Sequence, residues 1–392
     1  MKRILCTWEI GGHLGHLRRL ADIVPALRRL GFGVAVAASD ISAIASVSEW
    51  RDLPVFQAPL WSRRPPSTQR RPISSSEILT CFGYADARGL SGLLRAWRSL
   101  LESVRPDVVL GDYSPTALAV ARGIGIPTAA IGDGFTLPPP QVPMPSYVPR
   151  FAGAVSRLQA SDQTVVDTFN QAAASMGLRT IDNAAALWRS DETFLCTYAA
   201  LDHYGDRGAE YIGVAPTGNV GAPGIGESSG TMRVLAYLKR GRELPVLDAL
   251  VWLGWHGDIY APALSAEQAS HYFRHGLHIS REPFSMADRL QACGLVICHS
   301  GHGMVAQALL AGKPLLLLPL QVEQRLLSHR VQQLGAGVLP EDASDIDGLC
   351  NALQVLADDA TYRDSATAFA QTHQASPTLA SDIAARCWEL AA

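Results

Sequence analysis

The chain has 392 residues, of which 48% are hydrophobic and 18% charged, and a formal net charge of −3. That length exceeds one ordinary core and requires two or three domains, and the composition is that of a globular mixed α/β protein. The weakly acidic balance argues against a nucleic-acid partner; seven scattered cysteines (Cys6, Cys81, Cys196, Cys293, Cys298, Cys350 and Cys387) without a C-x-x-C pair argue against a disulfide framework and a structural zinc site.

Met1-Lys2-Arg3-Ile4-Leu5 runs directly into an apolar segment, without the pattern of a signal peptide. The densest apolar stretch, Pro314 to Leu320, is too short to cross a bilayer, so a cytoplasmic setting is the expectation. Arg3 to Glu9 reads as a buried strand and Gly11 to Gly15 as a glycine-rich turn. Leu17, Leu20, Ile23, Val24 and Leu27 recur at helical spacing between His16 and Leu30. Gly31 stops that helix, and Gly33 to Ala38 is the next strand. Residues 59–76, rich in Pro, Arg and Ser, read as a surface loop. Leu90, Leu93, Leu94, Trp97, Leu100, Leu101 and Val104 mark an amphipathic helix with Arg88, Arg95, Arg98 and Arg105 off its stripe. Such a helix packs on a core more often than on a membrane, although peripheral membrane contact through the arginines stays open. Pro106 to Asp112 is a strand ending in a carboxylate, Ala117 to Ile124 a helix and Pro127 to Ile131 a strand.

Strands alternating with helices indicate a parallel sheet. The Gly/Ser/Pro-rich stretch from Ala215 to Gly230 reads as a linker. The alternation then resumes with strands at Arg233–Leu238, His278–Ser280, Leu295–Cys298 and Leu315–Leu318, and Pro377 to Ala391 reads as a terminal helix. The expected organisation is a domain over 1–205, a second over 206–376, and a C-terminal helix over 377–392 that packs back on the first. Both domains are expected to be doubly wound and to face each other across a cleft.

In the second half, strand Leu295–Cys298 leads through His299-Ser300-Gly301-His302-Gly303 into a helix from Met304 to Ala311. A strand, a glycine-containing turn and a helix N-terminus make an anion site, because backbone N–H groups and the positive end of the helix dipole face the ligand. Taken alone, the segment is equally a common strand-to-helix turn. Its continuation through Gln307, Ala308, Gly312, Pro314, Pro319, Glu323 and Gln324 to Gly335 resembles the donor-binding signature of the UDP-glycosyltransferase superfamily. That resemblance implies the GT-B fold, two Rossmann-like domains facing a central cleft. It also implies a nucleotide-diphosphate sugar as co-substrate, with no cofactor and no metal.

Position by position, the resemblance implies that His299 and the backbone of Ser300, Gly301, His302, Gly303 and Met304 hold the diphosphate. Glu323 and Gln324 would hold hydroxyls of the transferred sugar, with Ser280 and Phe284 near the nucleobase. The sequence departs from the pattern at Gln307, where the family has a ribose-binding Glu, at Met304, where it has a small hydroxyl residue, and at Leu327, where an Asn is frequent. Loss of the ribose carboxylate leaves room for a dTDP-sugar beside a UDP-sugar.

In the first half, Gly15-His16 with Gly31 fifteen residues after the histidine resembles the Gly-His pair that follows the first strand in this superfamily and in the peptidoglycan lipid-intermediate glycosyltransferase. His16 takes the place of the catalytic base, with His13 as the second choice. Asp112 resembles the aspartate that orients the base. The plain alternatives are a helix-terminal histidine and a turn-forming aspartate. The run from Trp8 to Leu20, with Pro106-Asp107, Gly134-Phe135 and Pro138-Pro139, resembles a bacterial branch of glycosyltransferase-like sequences.

The reading is therefore an inverting, metal-independent transfer of a hexose from a UDP- or dTDP-sugar to a hydroxyl-bearing acceptor, small or lipid-linked. The rivals are a nucleotide-sugar hydrolase or epimerase and a non-catalytic nucleotide-sugar-binding protein. Asp345-Ile346-Asp347 is formally a D-x-D but sits where a helix cap is expected. His271 and His275 lack the companions of a metal site.

Overall fold

The apolar run after the N-terminus forms strand β1 (Arg3–Trp8), buried from Ile4 onward. The computed structural model describes residues 1–12, 14–62, 71–148, 154–216, 232–239, 241–282 and 286–392. Gly33–Ala38 is β2, Val55–Gln57 β3, Val108–Asp112 β4, Thr128–Gly132 β5 and Glu192–Leu195 β6. They form one sheet in the order β3-β2-β1-β4-β5-β6, with every pairing parallel. β4 and β5 are buried throughout, as strands covered on both faces by helices must be. The strand order reverses between β1 and β4, where Trp8 lies in register with Asp112. Beyond the carboxyl ends at such a reversal lies the crevice in which doubly wound sheets bind ligands.

The later strands are β7 (Arg233–Tyr237), β8 (His256–Tyr260), β9 (Leu277–Ser280), β10 (Leu295–Cys298), β11 (Leu315–Leu317) and β12 (Gly337–Val338). They form a second parallel sheet in the order β12-β11-β10-β7-β8-β9. Counted within its own set this is the same winding as the first sheet. β10 lies beside β7 as β4 lies beside β1, and Cys298 pairs with Tyr237 at the reversal.

Two compact units result, Met1–Cys196 with Arg207–Ile212 and Thr378–Ala392, and Thr197–Asp206 with Gly213–Pro377. The division is not one cut at 205–206: short segments on either side of that point belong to opposite units. The helix Leu379–Leu390 belongs to the first unit. It buries Ile383 and Cys387, sets Trp388 edge-on to Phe32 with centroids 5.0 Å apart, and pairs Arg386 with Glu192. Trp8, Trp50, Trp97, Tyr84, Phe169 and Phe194 are the bulkiest buried residues of the first unit. In the second unit, Leu235, Val296, Leu315 and Leu317 pack with Val305 and Leu309, and Val234, Ile297 and Leu316 pack with Leu247 and Leu250.

Several elements differ from the sequence expectation. The helix expected over His16 to Leu30 is two helices, Leu14–Ala21 and Val24–Arg29. Pro25 stands in the first turn of the second, where its missing N–H is tolerated; it could not continue the first helix. The helix Ala154–Ala174 and strands β6 and β8 lack a clear sequence signal: the helix carries interspersed polar residues, and β8 carries His256 and Asp258. Part of the supposed loop at 59–76 is ordered: Ser74 accepts from Glu77 N and caps the helix Ser75–Cys81, while 63–70 lie outside the described residues. The linker expected at 215–230 falls mostly outside them as well. The helix Ala87–Val104 turns Leu90, Leu93, Leu94, Trp97 and Leu101 inward and exposes Arg88 and Arg95. Among the described residues no helix is long and apolar enough to cross a membrane.

Candidate active site and donor cradle

In the first unit the crevice between β1 and β4 gathers charge. His16 is the third residue of the helix Leu14–Ala21, and its Nδ1 lies 2.7 Å from Oδ1 of Asp112, the last residue of β4. The Asp112 side chain is 0% exposed and that of His16 14%. A buried carboxylate needs compensation, and Asp112 has a second partner: Arg19 Nη1 donates to its Oδ2 at 2.8 Å. Arg19 Nη2 donates to Asp133 Oδ2 at 3.0 Å. Asp133 follows β5, and its Oδ1 accepts from the backbone N–H groups of Phe135 and Thr136 at 3.1 and 3.2 Å. Burial alone would lower the pKa of Arg19; Asp112 and Asp133 outweigh it and push the guanidinium far above its usual range.

In the tautomer that donates from Nδ1 to this carboxylate, Nε2 is the nitrogen that carries the free lone pair. Nε2 reaches over Gly11, where a Cβ would stand 2.8 Å from it; Gly11 also has φ +91°. Glycine is required there twice, by the backbone and by the ring above it. The imidazole stacks on Trp8 with centroids 5.6 Å apart and lies 6.1 Å from Tyr113. Glu9, just past β1, turns instead toward the helix Pro115–Gly123, where its Oε2 accepts from Thr116 N at 3.0 Å. Burial pushes the Glu9 carboxyl up to about 7 against the lowering effect of these hydrogen bonds.

In the second unit the equivalent crevice is stripped of side chains. The helix His302–Leu310 begins at Gly301 and has no side-chain cap, so its first turn presents backbone N–H groups and the positive end of its dipole. A Cβ on Gly301 or Gly303 would meet nothing within 4 Å among the described residues, and neither residue has a positive φ. Neither protein packing nor backbone conformation demands glycine at these positions. The space above them suits an anion that must approach the backbone closely. The helix starts two residues earlier than expected, which brings His302 and Gly303 into its first turn.

His299 has both ring nitrogens in hydrogen bonds to backbone groups. Its Nδ1 donates to the Leu318 carbonyl at 2.8 Å, and its Nε2 accepts from Lys239 N–H at 2.7 Å. Burial lowers its pKa, in keeping with a neutral ring whose two nitrogens are both engaged by backbone. It ties together the segments that follow β7, β10 and β11. His302 is also turned inward, with Nε2 2.7 Å from the Thr197 hydroxyl. Ser300 adopts φ 58° and pairs its hydroxyl with that of Ser328 at 2.8 Å.

Met304 is half-buried in the first turn. Gln307 donates from Nε2 to the Ala215 carbonyl at 2.9 Å, and its buried Oε1 has no hydrogen-bond partner among the described residues. Gln324 uses Oε1 to accept from Leu320 N at 2.8 Å, while Glu323, beside it at the start of the helix Val322–Gln333, lies 3.7 Å from His203. Ser280 donates to the Glu282 carbonyl at 2.5 Å within its own turn. His13 and Phe284 lie outside the described residues. Asp345 stands at an N-cap position without a side-chain cap bond, and His271 and His275 are exposed.

Sequence reasoning missed three charged residues. Arg19 lies one turn beyond His16, a spacing that puts both on one helix face. Asp133 and Lys239 each stand just past the end of a central strand, the position from which ligand-binding residues project. Lys239 is half-buried and in the electrostatic field of Glu323; burial lowers its pKa and Glu323 raises it.

Two identically wound parallel sheets flanked by helices define a GT-B protein of two Rossmann-like domains. The chain matches the family model described as Erythromycin biosynthesis protein CIII-like, C-terminal domain, over residues 280–390. It is 25% identical over 331 residues to a PGL/p-HBAD biosynthesis glycosyltransferase of Mycobacterium tuberculosis (strain ATCC 25177 / H37Ra), covering 76% of this chain and 75% of that one. It is 34% identical over 80 residues to the NDP-glycosyltransferase YjiC of Bacillus subtilis (strain 168), a match spanning only 20% of either chain. Its fold is similar to that of the spinosyn rhamnosyltransferase SpnG complexed with thymidine diphosphate, with a TM-score of 0.66, 18% identity, and coverage of 99% of this chain and 100% of that one. The chain is thus similar to GT1-like glycosyltransferases, and its fold is the GT-B fold that they share.

Proposed function

We propose that the protein is an inverting, metal-independent hexosyltransferase that uses a UDP- or dTDP-sugar and a hydroxyl-bearing acceptor. The observation that carries this reading is the His16–Asp112 pair at the β1/β4 reversal, with Nδ1 on the carboxylate and Nε2 as the base. The acceptor hydroxyl gives its proton to Nε2 as its oxygen bonds to the anomeric carbon. The bond from that carbon to the diphosphate oxygen breaks on the opposite face, and the nucleoside diphosphate leaves with the electron pair. The resulting imidazolium is stabilised by Asp112. Negative charge growing on the leaving group is met by the N-terminus of His302–Leu310 and by the Lys239 ammonium, without a metal ion.

Glu323 and Gln324 are assigned to the transferred sugar. Gln307, in place of a carboxylate, favours a donor that makes fewer demands at the ribose, and SpnG with bound thymidine diphosphate agrees with a dTDP-sugar. The test is a melting-shift panel of UDP-, dTDP-, GDP- and CMP-sugars with EDTA present, followed by donor turnover with and without an acceptor library. Selective stabilisation by a UDP- or dTDP-sugar and acceptor-dependent turnover are expected. Donor consumption without any acceptor would mean a hydrolase or epimerase. Binding without consumption under all conditions would mean a non-catalytic binding protein, and no shift with any donor would remove the reading altogether.

A further inference from the structure

We infer that the base is governed by a four-membered charge chain, His16–Asp112–Arg19–Asp133, in which Asp133 sets the proton affinity of His16 from two links away. This rests on the reading of His16 as the base and extends it to two positioning residues, Arg19 and Asp133. The links measure 2.7, 2.8 and 3.0 Å, and they span the ends of β4 and β5 by way of the helix Leu14–Ala21.

The reason lies in the net charge of the cluster. Asp112 alone would stabilise a protonated His16, but Arg19 sits on its other oxygen and cancels its charge. With His16, Asp112 and Arg19 only, the cluster is neutral, and protonating His16 would leave a net positive charge in a largely buried place. Asp133 restores one negative charge, so taking up the acceptor's proton brings the chain to neutrality. Arg19 complements this as a cationic partner that stays on Asp112 whether or not His16 carries a proton.

The other titratable groups nearby among the described residues do not provide this charge. Cys196, just past β6, has its thiol pushed up to about 12 by burial and is uncharged at neutral pH. Tyr113 lies beside the ring, and Glu9 is turned to Thr116. Asp22, one turn beyond Arg19, is pushed up to about 6 by burial and by Glu49, and it is common to all the variants compared below.

The experiment is an NMR titration of the His16 imidazole in the full-length protein without ligands, with the resonance assigned by its loss in His16→Gln. In Asp133→Asn, which keeps the Oδ1 acceptor for Phe135 and Thr136, the midpoint should fall by about one pH unit. In Arg19→Met it should rise by about one pH unit, and Arg19→Lys should return it toward the parent value. Opposite displacements identify electrostatic control, since loss of packing alone would not change sign with the charge removed. An unmoved midpoint in Asp133→Asn, or movement of both variants in one direction, overturns the inference. Should Arg19→Met fail to fold by its melting curve, Asp133→Asn and Arg19→Lys still decide. The base reading fails separately, through normal turnover in His16→Ala, and that result would leave the titration shifts intact.

Discussion

Just past β4 in the first unit and β10 in the second, the backbone turns through a left-handed residue that is not glycine, Tyr113 with φ 48° and Ser300 with φ 58°. The strand order around the two turns is the same. From there the two crevices diverge. The first is filled by interlocked charged side chains, and His16 is the member with a nitrogen to spare. The second keeps its histidines inward, His299 on two backbone groups and His302 on Thr197, and leaves two glycines under open space. One topology thus serves two purposes. On the proposed reading, the group that takes up a proton is surrounded by compensating charge, and the group that binds an anion is made of backbone, which cannot titrate. In this arrangement His299 also links strand ends, through Lys239 N–H and the Leu318 carbonyl.

The sharpest break in this division is His16→Ala. Turnover should fall about 10²–10⁴-fold, the usual contribution of a general base, while the melting shift induced by the donor persists. Near-normal turnover would remove His16 from the mechanism.

The next effect is one of pH. The folded-state pKa of Glu9, about 7, lies above its ordinary value of 4.5, so the native state holds a proton that the unfolded state has lost. Stability from this group is therefore present at low pH and declines as pH rises through that window, by about 3 kcal/mol at most. Glu9→Gln should gain on the parent as pH rises from 5 to 8, seen as a growing difference in Tm. A constant difference would contradict the burial argument.

Gly303→Ala sharpens the comparison from the other unit. It should raise stability by up to about 1 kcal/mol, because alanine is the better helix former and nothing obstructs its methyl group. It should also weaken donor binding about tenfold, or about 1.4 kcal/mol. Denaturant midpoints and donor titrations read the two effects separately; unchanged donor affinity would mean that the open space holds no ligand. Gly11→Ala should show the reverse pattern. At φ +91° and under the His16 ring it should cost about 1–2 kcal/mol and lower turnover, while the donor still binds. A variant as stable and active as the parent would show that the ring does not need that space.

Much of this is legible in the sequence because it depends on local pattern. Apolar runs that end at Trp8-Glu9, Gly111-Asp112 and Cys298-His299, each closing on a charged or polar residue, identify strand ends on one side of a parallel sheet. The block from His299 to Gly335 carries a spacing that few folds share. The elements that escape such reading lack a pattern: β8 interrupts its apolar residues with charge, and Ala154–Ala174 mixes buried and exposed positions without a clean stripe. Apolar spacing runs unbroken through Pro25, so it hides the point at which that residue divides one helix into two.

What the sequence determined by itself is the chemistry of short range: alternating strands and helices, a glycine turn before a helix, a histidine after the first strand, an aspartate at the end of another. Tertiary structure decided which of these groups meet. Ninety-six residues separate His16 from Asp112, and 114 separate Arg19 from Asp133. Only the parallel winding that sets β1 beside β4 and β4 beside β5 brings them within hydrogen-bond distance. The contacts of His299 were decided in the same way: its ring nitrogens meet Lys239 N–H and the Leu318 carbonyl, beyond the ends of two other strands that no local pattern connects. Spacing along the chain sets which side chains can share a helix face; the order of strands in a sheet sets which charges must share a dielectric.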